Sequence, residues 1–283
     1  MLCYVTKMLD VLENTSALIQ HVMHGFYGRN RHDYTWGQGS LDRPGTSAVL
    51  FLLGLSDGAK GFSSEPGLIL NKRSLKVRQP GDLCFPGGRV SARLDAWLAK
   101  LLYLPGSPLT RWPYWPEWKK HNPQVARRLA LLFAAGLRES FEEMGLNPLS
   151  VQLLGFMPPQ RLIMFFREIY PLICWIPRQK RFRNNWEVEK VVFIPLRNAL
   201  NPAFYARYRL RINSPSQNGQ DSGLDDFPCF LHKYKGESEV LWGATFRITM
   251  VFLETVFGFK LPDVEFLPVV HGTLDANYFT GNG

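Results

Sequence analysis

A mixed α/β domain is the fold this sequence predicts, on three observations. Residues 123–144 carry a single apolar stripe at helical spacing. Short apolar runs bounded by Gly, Pro and Asn stand on both sides of that segment. The 283 residues are 46% hydrophobic and 13% aromatic, enough for a packed core. This composition excludes a disordered chain, a collagen and a coiled coil. No repeat or clear linker divides the chain, so residues 1–283 read as one domain. Its parts are an N-terminal helix and loop (1–44), β-rich halves around a central helix, an aromatic-rich insertion (89–122), a flexible loop (213–226) and a terminal helix.

The elements follow in order. Residues 8–25 repeat apolar side chains such as Leu12, Ile19, Val22 and Met23 at spacings of three or four. They predict an amphipathic helix packed on the main body. Residues 47–53 and 67–71 read as buried strands, and Leu83-Cys84-Phe85 as a short one ended by Pro86-Gly87-Gly88. Asn122-Pro123 marks a helix start and Gly145 a left-handed stop, giving a helix over 123–144. Its stripe runs through Val125, Leu129, Leu132, Phe133, Leu137, Phe141 and Met144. Strands are predicted at 150–157, 168–176 and 188–194, with Cys229–Tyr234 as the last strand and a helix from Trp242 to Phe257.

Lys plus Arg number 33 against 24 Asp plus Glu, a net charge of +9. This balance favours an anionic partner: a phosphate-rich small molecule, nucleic acid or an acidic membrane surface. Cys3, Cys84, Cys174 and Cys229 show no CxxC spacing, so they read as free thiols in a reducing compartment. There is no run of 18 apolar residues, no leader pattern at the start and no lipidation signal at the end. The expected location is the cytoplasm, with no membrane partner. No RNA-binding signature accompanies the charge, so nucleic acid is not the expected partner.

Chemistry concentrates in Arg138-Glu139-Ser140-Phe141-Glu142-Glu143-Met144-Gly145-Leu146. Glu139, Glu142 and Glu143 stand at i, i+3 and i+4, on one side of a helix. Three crowded carboxylates repel one another unless a cation sits between them, and hard oxygen donors suit Mg²⁺ or Mn²⁺. Arg138 is placed to pair with Glu142 four residues on. Leu137, Phe141 and Met144 would anchor the opposite face in the core. A solvated acidic face is the plainer reading. Against it, acids in the last turns oppose the helix dipole, which favours a role with a cation. Upstream, Phe85-Pro86-Gly87-Gly88 supplies two glycines that let main-chain N–H groups approach a ligand or lock the helix.

At these residues the sequence resembles the Nudix hydrolases, whose box runs from a glycine to Arg-Glu-x-x-Glu-Glu-x-Gly. The resemblance implies a mixed sheet sandwiched between helices. It also implies a helix whose glutamates hold divalent metal and cleave a diphosphate joined to another moiety. It maps Glu139, Glu142 and Glu143 onto the metal-binding glutamates, Arg138 onto the helix arginine and Gly88 onto the leading glycine. Two features depart from the box. Gly88 and Arg138 lie 50 residues apart (138 − 88), so a long insertion splits the box, and Leu94 stands where an early glutamate is expected, with Asp95 one place late.

Leu70-Asn71-Lys72-Arg73-Ser74, Arg78, Gly81 and Phe85-Pro86-Gly87-Gly88 are similar to the signature of the coenzyme A diphosphatase subgroup. Glu187–Leu196 and Leu241–Ile248 resemble that subgroup's later strand and terminal-helix start. The implied reaction is metal-dependent hydrolysis of coenzyme A or an acyl derivative to 3′,5′-ADP and a 4′-phosphopantetheine product. The alternatives are another nucleoside diphosphate derivative, such as ADP-ribose or a dinucleoside polyphosphate, and a degenerate domain that senses nucleotide or RNA. Diphosphate hydrolysis needs cations for the remaining phosphates. Arg73, Arg78, Gly87 and Gly88 are the substrate-binding candidates, with Lys233, Lys235 and Arg247 further off. Glu139 and Glu143 could share metal and base duties, or Glu187 and Glu189 could supply the base from one strand face. Within 89–122, Leu94, Leu98, Leu101 and Leu102 suggest a short helix. The tryptophans and tyrosines around 112–118 favour a self-packed subdomain or a homodimer contact over a substrate lid, with an amphipathic membrane role as the lesser alternative.

Overall fold

A computed structural model of the protein describes residues 11–30, 45–56, 65–162, 167–177, 179, 181–212, 225–234, 236–274 and 278. Cys3, Lys235 and residues 213–224 of the expected flexible loop lie outside the described residues.

The apolar run around Leu50 forms β1 (Thr46–Leu55), the central strand of the larger sheet. It pairs antiparallel with β2 (Pro66–Arg73) and β4 (Gly87–Arg89), and parallel with β7 (Arg167–Ile176). Antiparallel β3 (Leu83–Cys84) and β8 (Val188–Pro195) extend the sheet from β2. Antiparallel β5 (Gln152–Phe156) and β6 (Gln160–Leu162) extend it from β7.

Successive β1 side chains point to opposite faces, and both faces are buried. Ala48, Leu50 and Leu52 join the core beneath α4 (Pro123–Met144) and the insertion helices α2 (Ala92–Leu101) and α3 (Trp115–His121). Phe51 and Leu53 join the core beneath α1 (Thr15–Asn30) and α5 (Gly243–Phe257). The sheet is therefore sandwiched between helices, and the mixed α/β expectation holds. The insertion is part of the core: Trp112, Trp115 and Trp118 are all buried.

Helix α4 keeps its expected limits. Pro123 opens it, where a missing N–H leaves no bond unmade. Gly145 closes it in the left-handed region (φ 64°), donating its N–H to the Phe141 carbonyl at 2.9 Å. One position of the stripe is corrected. Phe141 is exposed, and Ser140 is buried in its place, with its hydroxyl donating to the Gly136 carbonyl at 2.7 Å. A serine that satisfies its own hydroxyl one turn back can occupy a buried helix face.

Cys229–Tyr234 is not the last strand. It belongs to β10 (Asp225–Tyr234) in a second sheet with β9 (Tyr205–Ile212), β11 (Glu237–Leu241) and β12 (Val269–Leu274), in the order β11-β10-β9-β12. Their polar alternation, as in Tyr205-Ala206-Arg207-Tyr208-Arg209, hides them from a search for apolar runs. Buried Glu239 on β11 ties the sheets together. It accepts from Lys72 on β2 at 3.2 Å and from Lys190 on β8 at 2.8 Å.

Candidate active site

The two glycines of the Pro-Gly-Gly stretch lie in strand β4, with Pro86 in the bend before it. Gly87, Gly88 and Arg89 face Val49, Ala48 and Ser47 of β1, and the Leu50 N–H bonds the Pro86 carbonyl at 2.8 Å. This strand runs against the end of α4, and three consecutive residues meet three residues of the acidic segment. The Gly87 N–H donates to Glu143 Oε2 at 3.2 Å. The Glu139 carboxyl lies against Gly88, where a Cβ would fall 2.5 Å from its carboxyl carbon. The Arg89 carbonyl accepts from Arg138 Nη2 at 3.1 Å. Gly87 is constrained twice: its φ is 142°, and a Cβ there would fall 2.3 Å from the Ala48 carbonyl oxygen.

Arg138 organises the acids. Its Nη1 lies 2.9 Å from Glu139 Oε1 and 3.3 Å from Glu142 Oε2, so the expected pair with Glu142 is present and Glu139 shares the guanidinium. Its Nε and Nη2 donate to Asp95 at 2.7 and 3.2 Å. Asp95 is wholly buried and also accepts the Ser91 N–H at 2.6 Å. The early acid that seemed absent at position 94 is therefore supplied one residue later, from the first turn of α2. A serine before a helix with an acid in its first turn is a helix-start signal that could have flagged it. Asp95, then Glu139, hold the Arg138 guanidinium well above its ordinary pKa.

Glu143 points inward, largely shielded from water. Burial pushes its carboxyl up to about 8, assisted by Glu139 and Glu187 and opposed by the Gly87 N–H and Arg73. Burial also raises Glu139, against the pull of Arg138. Asn71, at the end of β2, donates Nδ2 to Glu143 Oε2 at 3.0 Å. Its Oδ1 is buried with no hydrogen-bond partner among the described residues. An amide ending an otherwise apolar strand run was the available sign of that role.

The donors suit a hard divalent ion by chemistry: three carboxylates, with an orphaned amide oxygen beside one of them. Among the described residues, however, no three acid, histidine or cysteine side chains stand close enough to hold an ion as arranged. Arg138 gives the physical reason. Its guanidinium pairs with both Glu139 and Glu142 and would have to yield them.

The other predicted residues are more scattered. Arg73 lies near Glu143 electrostatically, and its Nε donates to the Arg78 carbonyl at 2.7 Å across the 73–82 loop, while the Arg78 side chain is exposed. Asp82 closes that loop. It accepts from Tyr278 OH at 2.6 Å and Trp242 Nε1 at 2.9 Å, and its carbonyl accepts the Arg73 N–H at 3.0 Å. Glu187 precedes β8 in a turn rather than sharing a strand face with Glu189, which pairs with Lys72 at 3.4 Å. Lys233 is exposed on β10, and Arg247 donates to the Arg161 carbonyl at 3.2 Å, away from the glycine strand.

No family model matches the sequence. The Nudix hydrolase NudL of Enterobacter sp. (strain 638), itself described as uncharacterized, is 29% identical over 143 residues, covering 50% of this chain and 56% of NudL. NudL of Citrobacter koseri is 28% identical over 144 residues, with the same coverage. The chain thus spans little more than half the length of these curated relatives. Among solved structures, a C. elegans Ap4A hydrolase aligns over 56% of this chain and 84% of its own at 12% identity and TM-score 0.35. A Nudix hydrolase of Alicyclobacillus acidocaldarius aligns over 57% and 83% at 17% identity and TM-score 0.34. Over half of its length, then, it is Nudix hydrolases that this protein is similar to in sequence.

Proposed function

We propose that this protein is a metal-dependent hydrolase of a diphosphate anhydride, with coenzyme A or an acyl-coenzyme A as substrate. The observation that carries the reading is the meeting of Gly87, Gly88 and Arg89 with Glu143, Glu139 and Arg138. It sets two carboxylates, their pKa values raised by burial, against two glycines that have no side chains to exclude a ligand. Glu139, Glu142 and Glu143 would hold Mg²⁺ or Mn²⁺, which when bound neutralises charge on the diphosphate and acidifies water. Glu143 is the residue to take the water's proton, at Oε1, while the Gly87 N–H and Asn71 hold Oε2 and so orient the carboxylate. Arg138 pairs with Glu139 and Glu142 until it yields them to the ion, and Asp95 then holds the released guanidinium. Arg73 and Arg78 would bind the phosphates not being cleaved.

The test is incubation with Mg²⁺ and coenzyme A, ADP-ribose or a dinucleoside polyphosphate, followed by mass spectrometry of the products. The expected products from coenzyme A are 3′,5′-ADP and 4′-phosphopantetheine. Glu143→Gln should lower turnover by about 100-fold or more at unchanged melting temperature. Cleavage of ADP-ribose with coenzyme A left intact would discard the substrate. Turnover that survives Glu143→Gln would discard that residue's role, and no cleavage of any diphosphate would favour a nucleotide-binding sensor.

A further inference from the structure

The insertion has a second apolar face that the core does not use. On the inner side of α2, Ala99 and Asp95 are buried, with Leu102 just beyond the helix end. On its outer side Leu94, Trp97 and Leu101 are 48%, 58% and 44% exposed, and at helical spacing they share one stripe. Leu104, 56% exposed, follows the helix. The next turn is tied to another exposed leucine: Thr110 Oγ1 donates to the Leu104 carbonyl at 3.0 Å, and Arg111 Nη2 donates at 2.6 Å to the carbonyl of Leu149, itself 70% exposed.

The exposed charges of the insertion have one sign. Arg89, Arg93, Lys100, Arg111, Lys119 and Lys120 are exposed. The segment's two acids are engaged inside it: Asp95 is buried against Arg138, and Glu117 accepts the Tyr27 hydroxyl. Large exposed apolar side chains on a helix that also carries Arg93 and Lys100, in a segment whose exposed charges are all cationic, fit one surface, an anionic bilayer. The leucines and the indole would enter the headgroup boundary while the cations meet lipid phosphates. A two-fold contact with a second copy would set this cationic patch against itself. A nucleic acid would match the charge and leave the leucines in water.

We propose that the outer face of the insertion, centred on Leu94, Trp97 and Leu101, docks the protein on anionic membrane surfaces. This takes up the lesser alternative read for the insertion, against the expectation of no membrane partner, which rested on the lack of a spanning run. A helix lying in the interface needs no such run. The proposal is independent of the hydrolase reading.

Full-length protein would be co-sedimented with phosphatidylcholine vesicles, with and without about one-third phosphatidylserine, while tryptophan emission is recorded. Binding should require the anionic lipid, weaken with added salt and shift the emission to the blue. Trp97→Ser, and separately Arg93→Glu with Lys100→Glu, should each weaken binding by about tenfold. These side chains are exposed, so the melting temperature should hold, and the charge-reversed protein remains a test if the tryptophan variant misfolds. Failure to bind anionic vesicles, equal binding to neutral ones, or variants that bind like the wild type would overturn the proposal. So would a dimer in sedimentation equilibrium that Trp97→Ser dissociates, because a second copy would then cover the face.

Discussion

A methyl group at position 88 would have no room, because the Glu139 carboxyl already occupies the place of the missing Cβ. Gly88→Ala should therefore displace Glu139 and lower metal-dependent turnover by about 100-fold, with the folded state intact by circular dichroism. A variant with full turnover would show that Glu139 does not need its present position. The acids themselves were legible in the sequence, because helical spacing alone puts Glu139, Glu142 and Glu143 on one side of α4. Their supports, Asp95 and Asn71, carried local signs of their own, but the contacts they make did not. Asp95 bonds Arg138 across 43 residues and Asn71 bonds Glu143 across 72, and no local pattern reports a contact of that range.

The insertion shows how far an element can be read. Its aromatic content pointed to packing, and the structure divides that content in two. Trp112 is buried, donates Nε1–H to the Leu154 carbonyl at 3.2 Å and packs edge-on to Phe156, whereas Trp97 faces outward. Trp112→Ala should cost about 3–5 kcal/mol, and Trp97→Ser no more than about 0.5 kcal/mol, in denaturant unfolding. Equal losses would mean that both tryptophans belong to one core. Composition cannot separate the two roles: Trp97 is turned outward by its phase on α2, and Trp112 lies in the turn before α3, where its partner Phe156 on β5 covers it. Helix α4 was readable to the residue because proline and glycine mark both ends. The short strands β4 and β6 were not, because they are defined by their partners, β1 and β7.

At the scale of the molecule, Asp82 couples the 73–82 loop to the second sheet and its C-terminal side through Trp242 and Tyr278. Burial raises its carboxyl above the ordinary aspartate range, against the two hydrogen bonds. The folded state then keeps a proton that the unfolded chain has released, so stability falls as pH rises from that range toward the raised value. The melting temperature of the metal-free protein should drop across that interval, and less so in Asp82→Asn; parallel curves would remove Asp82 as the cause. The mixed α/β class was foreseeable from the order of apolar runs, and the sheet between helices from the resemblance. The second sheet was foreseeable only in part: Cys229–Tyr234 read as a strand, whereas β9, β11 and β12 hold no apolar run long enough to mark them. The parallel pairing of β1 with β7 also has a kinetic side. It brings Thr46 beside Glu168, so 122 positions of chain (168 − 46) must be gathered before the central ladder closes. Closing so long a loop costs entropy before any contact repays it, which makes assembly slow. The glycine strand and α4 both lie within that loop, and Gly87 and Glu143 are only 56 residues apart, so the acids meet that strand through a shorter closure than the one the central ladder needs.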